Sequence, residues 1–440
     1  MTMKRTVILA AALVALAVAT TPARAVEFNA RAISNQPAAT LLLPYFEATL
    51  KAPAAGKQPG PTTYMTVVNT SATAVLAKVT VWSDLGVAVL GMHVYLTGYD
   101  SQTLDLGEII RTGKMPATAS AGQDPQDTIS PKGERSQDIN FASCADKLPF
   151  TQLPPDFVAH VKASLTGQFS SVFGGCAGRN LGDSLARGFV TVDTINNCTD
   201  RSPGDVGYFA AGGTGDATNQ NTLVGDYQYV NASTGVAEGD SLVSIQASAT
   251  DADTTTDGHY TFYGKFVDFS AADNRQPLAT NFDLRYRKDA TVFTKGTSVI
   301  AWRDQKIWTG PFACGTTPGW YPLGQEQIAI FDEQEHPVVP VSIPVAPQPP
   351  TPTYAPFQAV ANKVLVGSSA MPTPYDSGFM QANLNTTVSL VPANTWPPAD
   401  VAASQGWITT LFEGKTAVAS SPAAPLDSAA AASHSLIPVP

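Results

Sequence analysis

Apolar and polar residues alternate with a period of two in several stretches, the spacing of a half-buried β-strand. Thr63-Tyr64-Met65-Thr66-Val67-Val68 runs into an Asn69-Thr70-Ser71 turn. Ala77, Val79 and Val81 then alternate with Lys78, Thr80 and Trp82, up to a Ser83-Asp84-Leu85-Gly86 turn. Met92, Val94 and Leu96 alternate with His93, Tyr95 and Thr97 before Gly98-Tyr99-Asp100, and Leu104 and Leu106 flank Asp105. Short strands punctuated this way predict a β-sandwich over 26–112. The polar stretch that follows, rich in Gly, Pro, Ser and Asp, reads as a loop or insertion over 113–145.

One segment has helical spacing: Phe157, Val158, Val161 and Leu165, with Asp156 as the expected cap and Gly167 as the stop. Strand patterns then return at Phe189–Ile195, Asp226–Val230, Leu242–Ala247, Tyr260–Phe269, Thr280–Arg287, Ser298–Arg303 and Gln327–Phe331. These make a second β unit over 146–335. Eight prolines between Pro337 and Pro356 mark 336–357 as an extended linker or strap, because proline cannot donate to a sheet ladder. Residues 358–440 form a last β segment with a tail of Ala, Ser and Pro. Within it, Gly378 to Thr387 echoes Thr63 to Thr70, each a strand closing in Asn-Thr. The whole predicts an all-β protein of immunoglobulin-like antiparallel sandwich units with one short helix and a Pro-rich strap.

Composition narrows the class. With 44% apolar and 14% charged residues, the chain is too apolar to be disordered. Its 36 acidic against 26 basic residues argue against nucleic acid or an anionic membrane as partner. The first 25 residues read as a signal peptide: Lys4 and Arg5, an apolar run over Thr6–Ala19, and an Ala23-Arg24-Ala25 cleavage site that would leave Val26 first. No later run is long and apolar enough to span a membrane as a helix, so the expected location is periplasmic or extracellular. In that setting Cys144, Cys176, Cys198 and Cys314 read as two disulfides. Three pairings are possible, and 144–176 with 198–314 is preferred because each bridge brackets one coherent unit. Zinc would call for paired ligands such as C-x2-C, and the four cysteines are widely spaced.

Three constellations could carry chemistry. Gly-Asp-Ser-Leu occurs at 182–185 and at 239–242 and resembles the nucleophile block of GDSL-type esterases. That chemistry needs a His base for the serine and a strand leading into it. Neither copy follows an apolar strand, and none of His93, His160, His259, His336 and His434 lies three after an Asp, so a turn leading into a strand is the expected role. Asp251, Asp253 and Asp257, in a loop ending at Gly258, offer alternating oxygen ligands for Ca2+; the bland alternative is a solvated hairpin loop. Arg287, Trp302, Trp308, Trp320 and Tyr321 form an aromatic and polar cluster suited to a glycan, whose rings have both an apolar face and hydroxyls. Trp302 alternates with Ile300, which is also the pattern of a core tryptophan.

The runs Leu41-Leu42-Leu43-Pro44-Tyr45-Phe46-Glu47, Val79 to Asp84 with Tyr95 to Asp100, and Ala271-Ala272-Asp273-Asn274-Arg275 resemble segments of uncharacterised secreted bacterial proteins. The resemblance extends over most of the mature chain. It implies an address and no activity. Two functions stay open: an exported, non-catalytic β-sandwich protein with a surface, adhesive or ligand-binding role, its partner a glycan or a surface component; or a secreted hydrolase of esters or glycans.

Overall fold

In a computed structural model, the described residues are 36–53, 55, 60–118, 144, 152–233, 236–248, 250, 261–268, 270–279, 281–288, 293–304, 310–316, 328–338, 356–384, 405–414 and 418–425. They form four antiparallel sheets. The first contains β1 (Thr40–Thr49), β3 (Val75–Ser83), β4 (Ala88–Leu96), β6 (Leu185–Ile195) and β9 (Val243–Ile245), in the order β4-β3-β6-β1-β9. The second contains β2 (Pro61–Asn69), β5 (Ser101–Asp105), β7 (Leu223–Asn231) and β8 (Val236–Ser241), ordered β5-β2-β7-β8. The third contains β11 (Gly296–Arg303), β13 (Ala361–Leu365), β15 (Gly406–Glu413) and β16 (Val418–Pro422), ordered β13-β11-β15-β16. The fourth contains β10 (Asn281–Arg287), β12 (Ile328–Asp332), β14 (Ser377–Asn383) and β17 (Ala424–Pro425), ordered β12-β14-β10-β17. Strands from both 26–112 and 146–335 build the first and second sheets.

Three apolar layers hold the sheets in a stack. Leu41, Leu43, Val79, Val81, Val190 and Val192 of the first sheet pack with Met65, Val67, Leu104 and Tyr227 of the second. The opposite face of the first sheet, with Leu42, Tyr45, Trp82, Phe189 and Ile245, packs with Ile300, Trp302, Trp407 and Leu411 of the third. The other face of the third, with Val299, Ala301 and Ile408, packs with Phe282, Leu284, Tyr286, Ile330 and Met380 of the fourth. The two inner sheets are therefore buried on both faces, and β3 and β11 are buried along their whole length. Such strands lose the exposed polar face that alternation normally signals.

Local chemistry sets the details. Pro44 sits where the β1–β6 register shifts between Leu43 and Phe46, a bulge that tolerates the missing N–H. The shift carries Phe46 and Ala48 into the same layer as Leu41 and Leu43. Helix α1 (Leu106–Thr112), absent from the sequence reading, follows β5 directly. Asp105 caps it by accepting the Glu108 N–H at 3.0 Å, and Gly113 ends it at φ 77°. Helix α2 (Pro155–Leu165) begins earlier than expected: Pro154 is its N-cap and no side chain caps it. Asp156 lies in the first turn instead, where its charge suits the helix dipole. At Gly167 (φ 67°) a Cβ would stand 2.3 Å from the backbone of Arg179 and Asn180, so no larger residue fits.

Two expectations are overturned. The disulfides are Cys144–Cys198 and Cys176–Cys314, with Cα separations of 5.1 and 5.0 Å, rather than 144–176 and 198–314. Cys198, just past β6, meets Cys144 in a small cluster with Leu76, Tyr95 and Ile195. Cys176 is bonded through its backbone to Phe312, which sets Cys314 beside it. The proposed strand Tyr260–Phe269 is, over 261–268, a chain of turns around a 3-10 turn at Gly264–Phe266. Positive φ at Asp268 (51°) and Ala271 (57°) breaks any extended run, and its aromatic residues line a wall between the first and third sheets.

The echoing segments 63–70 and 378–387 begin in β2 and β14, each an inner strand of an outer sheet. No helix among the described residues is long and apolar enough to cross a membrane. Residues 1–25, expected to be a signal peptide, and most of the Pro-rich stretch 336–357 lie outside the described residues.

Candidate functional site

Register brings a polar row across the middle of the first sheet. His93 of β4 faces Lys78 of β3, Lys78 faces Asp193 of β6, and Asp193 faces Thr40 of β1. These residues lie on the face that carries Trp82 and Leu42, under the segments 199–219 and 261–275. All four are buried, so each polar atom needs an internal partner. Lys78 Nζ donates to the carbonyls of Thr199 and Arg201. His93 Nε2 accepts the Thr199 N–H at 3.1 Å. Burial lowers the Lys78 pKa, against the pull of Asp200 and Asp193.

Asp193 is the hub. It accepts hydrogen bonds from Thr40 Oγ1 (2.5 Å), Tyr208 OH (2.9 Å) and Tyr263 OH (3.1 Å). Arg275, 1% exposed, donates from Nε to Thr40 Oγ1 (3.0 Å), from Nη1 to the Asp273 carbonyl (2.7 Å) and from Nη2 to the Thr218 carbonyl (2.8 Å). Its guanidinium carbon stands 5.2 Å over the Phe209 ring. Asp273 in turn accepts from Thr261 Oγ1 and from the Tyr263 N–H. Asn274, at φ 55°, accepts from the Gly212 N–H and from Asn219 Nδ2. The Ala271–Arg275 segment thus supplies the acid, the base and the turn that lock two loops onto the sheet.

Burial raises the Asp193 carboxyl, opposed by Arg275 and the three hydroxyls. Burial pushes Asp273 up to about 6 against its own hydrogen bonds. A carboxyl raised in the fold destabilises the native state where it is ionised. Its stabilising effect is complete below the unfolded value near 4 and is lost as pH rises through about 6. We expect Asp273 to add about 3 kcal/mol of stability between pH 7.5 and pH 4. Urea titrations of wild type and Asp273→Asn at both pH values should differ by that increment; parallel pH profiles would refute it.

Beside this network a small aromatic recess, with room for about one water molecule, opens between the first and third sheets. Trp82, Phe189, Phe262, Tyr263, Phe266 and Trp302 wall it. Trp82 stacks on Phe189 (5.6 Å, 1°) and Phe262 on Trp302 (5.4 Å, 23°), so the rings brace one another. Trp82 Nε1 donates to Thr191 Oγ1 at 2.9 Å. Trp302 Nε1, also buried, has no acceptor among the described residues. Lys265 closes one side, paired with Asp304 at 2.5 Å, and Gln405 Nε2 ties Asp304 to the carbonyls of Thr261 and Phe262. A second cleft, near the end of β1, is cross-braced by Lys363, whose Nζ lies 3.3 Å from Glu47 and 3.6 Å from Glu413. Those two carboxylates raise the Lys363 pKa, overcoming its desolvation.

Of the residues singled out by sequence, Trp302 lies in this pocket wall with 2% exposure, and Arg287 is exposed at the end of β10. Trp308, Trp320 and Tyr321 lie outside the described residues, as do Asp251, Asp253 and Asp257. Among the described residues no group of three His, Cys, Asp or Glu could hold a metal. The first Gly-Asp-Ser-Leu leads into β6, its Asp183 paired to Arg187 at 2.6 Å. The second spans the end of β8, where Asp240 accepts the Ser241 N–H at 2.7 Å. Ser–His contacts do form among the described residues, unforeseen from sequence: His160 Nδ1 lies 3.3 Å from Ser164 Oγ and makes its short contact with Ser170 Oγ at 2.6 Å. His160 and both serines are buried, His160 packs on the rings of Phe157 and Phe173, and burial lowers the His160 pKa. The contact therefore holds α2 to the following turn. Sequence reasoning also missed Asp193, Tyr208, Tyr263 and Lys265. The Ala271–Arg275 segment was the one available signal, since an acid and a base flanking an Asn mark a tight polar turn. Comparison with protein-family models, with curated proteins and with solved structures finds no match for the chain.

Proposed function

We propose that this is an exported, non-catalytic protein of immunoglobulin-like sandwich units that works by binding a ligand or a surface partner. The observation that carries the reading is the aromatic pocket between the first and third sheets: six rings, fixed by mutual stacking and by strands buried on both faces, frame a partly open recess. Rigid aromatic walls with few polar groups suit recognition. The leader-like first 25 residues and the two disulfides support a periplasmic or extracellular setting.

The test is to isolate the protein from the native secretion fraction, sequence its N-terminus and identify what co-purifies. Chromogenic ester and glycoside panels run in parallel. We expect Val26 at the N-terminus, a glycan or surface component retained at stoichiometric level, and no turnover. Turnover abolished by Ser184→Ala or Ser241→Ala would replace this reading with a hydrolase. Retention unchanged in Phe266→Leu would remove the pocket from it.

A further inference from the structure

A cleft of about 410 Å3 lies at one end of the first two sheets, where the turn between β2 and β3, the start of β3, the end of β6 and the segment leading into β7 meet. That volume is within the range, about 300–1,000 Å3, of sites that hold a small molecule. Val75, Leu76 and Ile195 are its buried apolar part. Ser71 and Thr73 are half-buried, and Asn196 and Gln220 are exposed at its edge. No described residue of the lining is charged or aromatic. The walls are braced from behind. Asn69, fully buried, donates to the carbonyls of Thr73 and Thr97 and accepts the Ser71 N–H, which fixes the turn. The Thr70 N–H and hydroxyl both donate to the Thr222 carbonyl and tie that turn to the segment leading into β7. Leu76 and Ile195 pack on Cys144 and Cys198. A cleft held this way is formed before any guest arrives, which lowers the cost of binding.

Resting on the binding reading above, but with this cleft rather than the aromatic recess as the place of contact, we propose that it takes a neutral sugar unit of a glycan. Charge restricts the guest. A carboxylate or ammonium brought here would leave water and meet no opposite charge among the lining residues. Backbone chemistry restricts it further. An extended peptide binds by adding a strand, which needs open N–H and C=O groups. Here Leu76 and Ile195 pair with each other in the β3–β6 ladder, the Thr222 N–H donates to Ala38 and the Thr218 N–H to Thr194. What stays open are side chains. Among the described residues, Thr73 is engaged only through its backbone, and so is Gln220. Asn196 uses Nδ2 on the Gly215 carbonyl, which leaves Oδ1 to accept. A hydroxyl or an amide both donates and accepts, as each sugar hydroxyl does. The C–H face of a sugar ring suits Val75, Leu76 and Ile195, so the two kinds of surface in the cleft match the two kinds on the guest.

Binding to the full chain is followed by saturation-transfer NMR and by calorimetry. The neutral probes are the glucose, galactose and mannose trimers; the controls are the galacturonate trimer and N-acetyl-trialanine amide. We expect at least one neutral trimer to bind, the galacturonate trimer to bind at least about tenfold more weakly, and the peptide not to bind. Thr73→Val keeps the shape and deletes the hydroxyl, and Gln220→Ala removes the amide at the edge. Neither group is bonded within the described fold, so both melting temperatures should hold. Each change should weaken the preferred trimer about tenfold, the size of one hydrogen bond. Should Thr73→Val melt lower, Gln220→Ala, at an exposed position, carries the test. Unchanged affinity in both variants overturns the proposal. So does equal binding of the galacturonate trimer, preference for the peptide, or no binding of any neutral trimer. The native partner separates that failure from failure of the binding reading. If no neutral trimer binds but native retention is lost in Thr73→Val/Gln220→Ala, the ligand class falls and the cleft keeps the binding role. If retention is unchanged in that double variant, the cleft falls and the binding reading stands. If the wild type retains nothing, the binding reading falls with it.

Discussion

Replacing Arg275 by methionine should cost about 3–5 kcal/mol, the usual penalty for removing one partner from a buried charged cluster. Methionine fills similar space, so the loss isolates the charge and its donors from the packing. Four acceptors lose a donor at once: Thr40 Oγ1, Asn219 Oδ1 and the carbonyls of Asp273 and Thr218. The carboxylates of Asp193 and Asp273 also lose the positive charge that opposes their desolvation. This last effect has a sign that can be read. Both carboxyls are already raised by burial, and without Arg275 they rise further, so acid neutralises them and relieves the defect. The penalty of Arg275→Met should therefore shrink between pH 8 and pH 5, whereas a packing defect would be indifferent to pH. Combining it with Asp193→Asn should cost less than the sum of the two single changes, because the groups share one network. Denaturant unfolding of the four proteins at both pH values measures all of this. A loss below about 1 kcal/mol, or one constant with pH, would mean that Arg275 is a bystander.

The strands were legible in sequence because alternation and turn residues are local. β2, β3, β4, β6, β7, β10, β11 and β12 lie where the period of two and the Gly, Asn and Asp turns place them. Their pairing was not legible. β6 inserts between β1 and β3, across about a hundred residues of chain, and nothing local to either partner records that. The polar side of the alternation also misleads. Lys78, Thr80 and Trp82 look like a solvent face, but a third sheet and two loops cover it; Lys78 and Trp82 find hydrogen-bond partners inside, while Thr80 Oγ1 has none among the described residues. The candidate site was missed for the same reason. Its acid and base, Asp193 and Arg275, are 82 positions apart and meet through Thr40, which lies in a third segment. Trp302 was legible as either a surface or a core residue, and it is a wall residue with an unpaired donor, which no pattern of hydropathy distinguishes.

Removing the Cys176–Cys314 bridge should destabilise the protein by about 5 kcal/mol, and removing Cys144–Cys198 by about 4 kcal/mol, in the chain-entropy account of disulfides. The bridges join residues 138 and 54 positions apart, and longer closed loops restrict the unfolded chain more. Pairing by proximity in sequence fails here because the fold, rather than the spacing, sets which thiols meet. Cys176 and Phe312 exchange two backbone hydrogen bonds, 2.8 and 2.9 Å, so Cys314 arrives beside Cys176 before any sulfur chemistry is considered. Those bonds survive in Cys176→Ser/Cys314→Ser, and the native contact stays in place. The loss should then come from the unfolded state: a lower unfolding midpoint with near-native near-ultraviolet circular dichroism below the transition. Cys144→Ser/Cys198→Ser should behave alike with the smaller loss. Non-reducing peptide mapping of the wild type checks the pairing itself, and a 144–176 bridge would overturn it. Equal stability of wild type and the Cys176→Ser/Cys314→Ser variant would show that the turn contacts alone hold the 310–316 segment in both states.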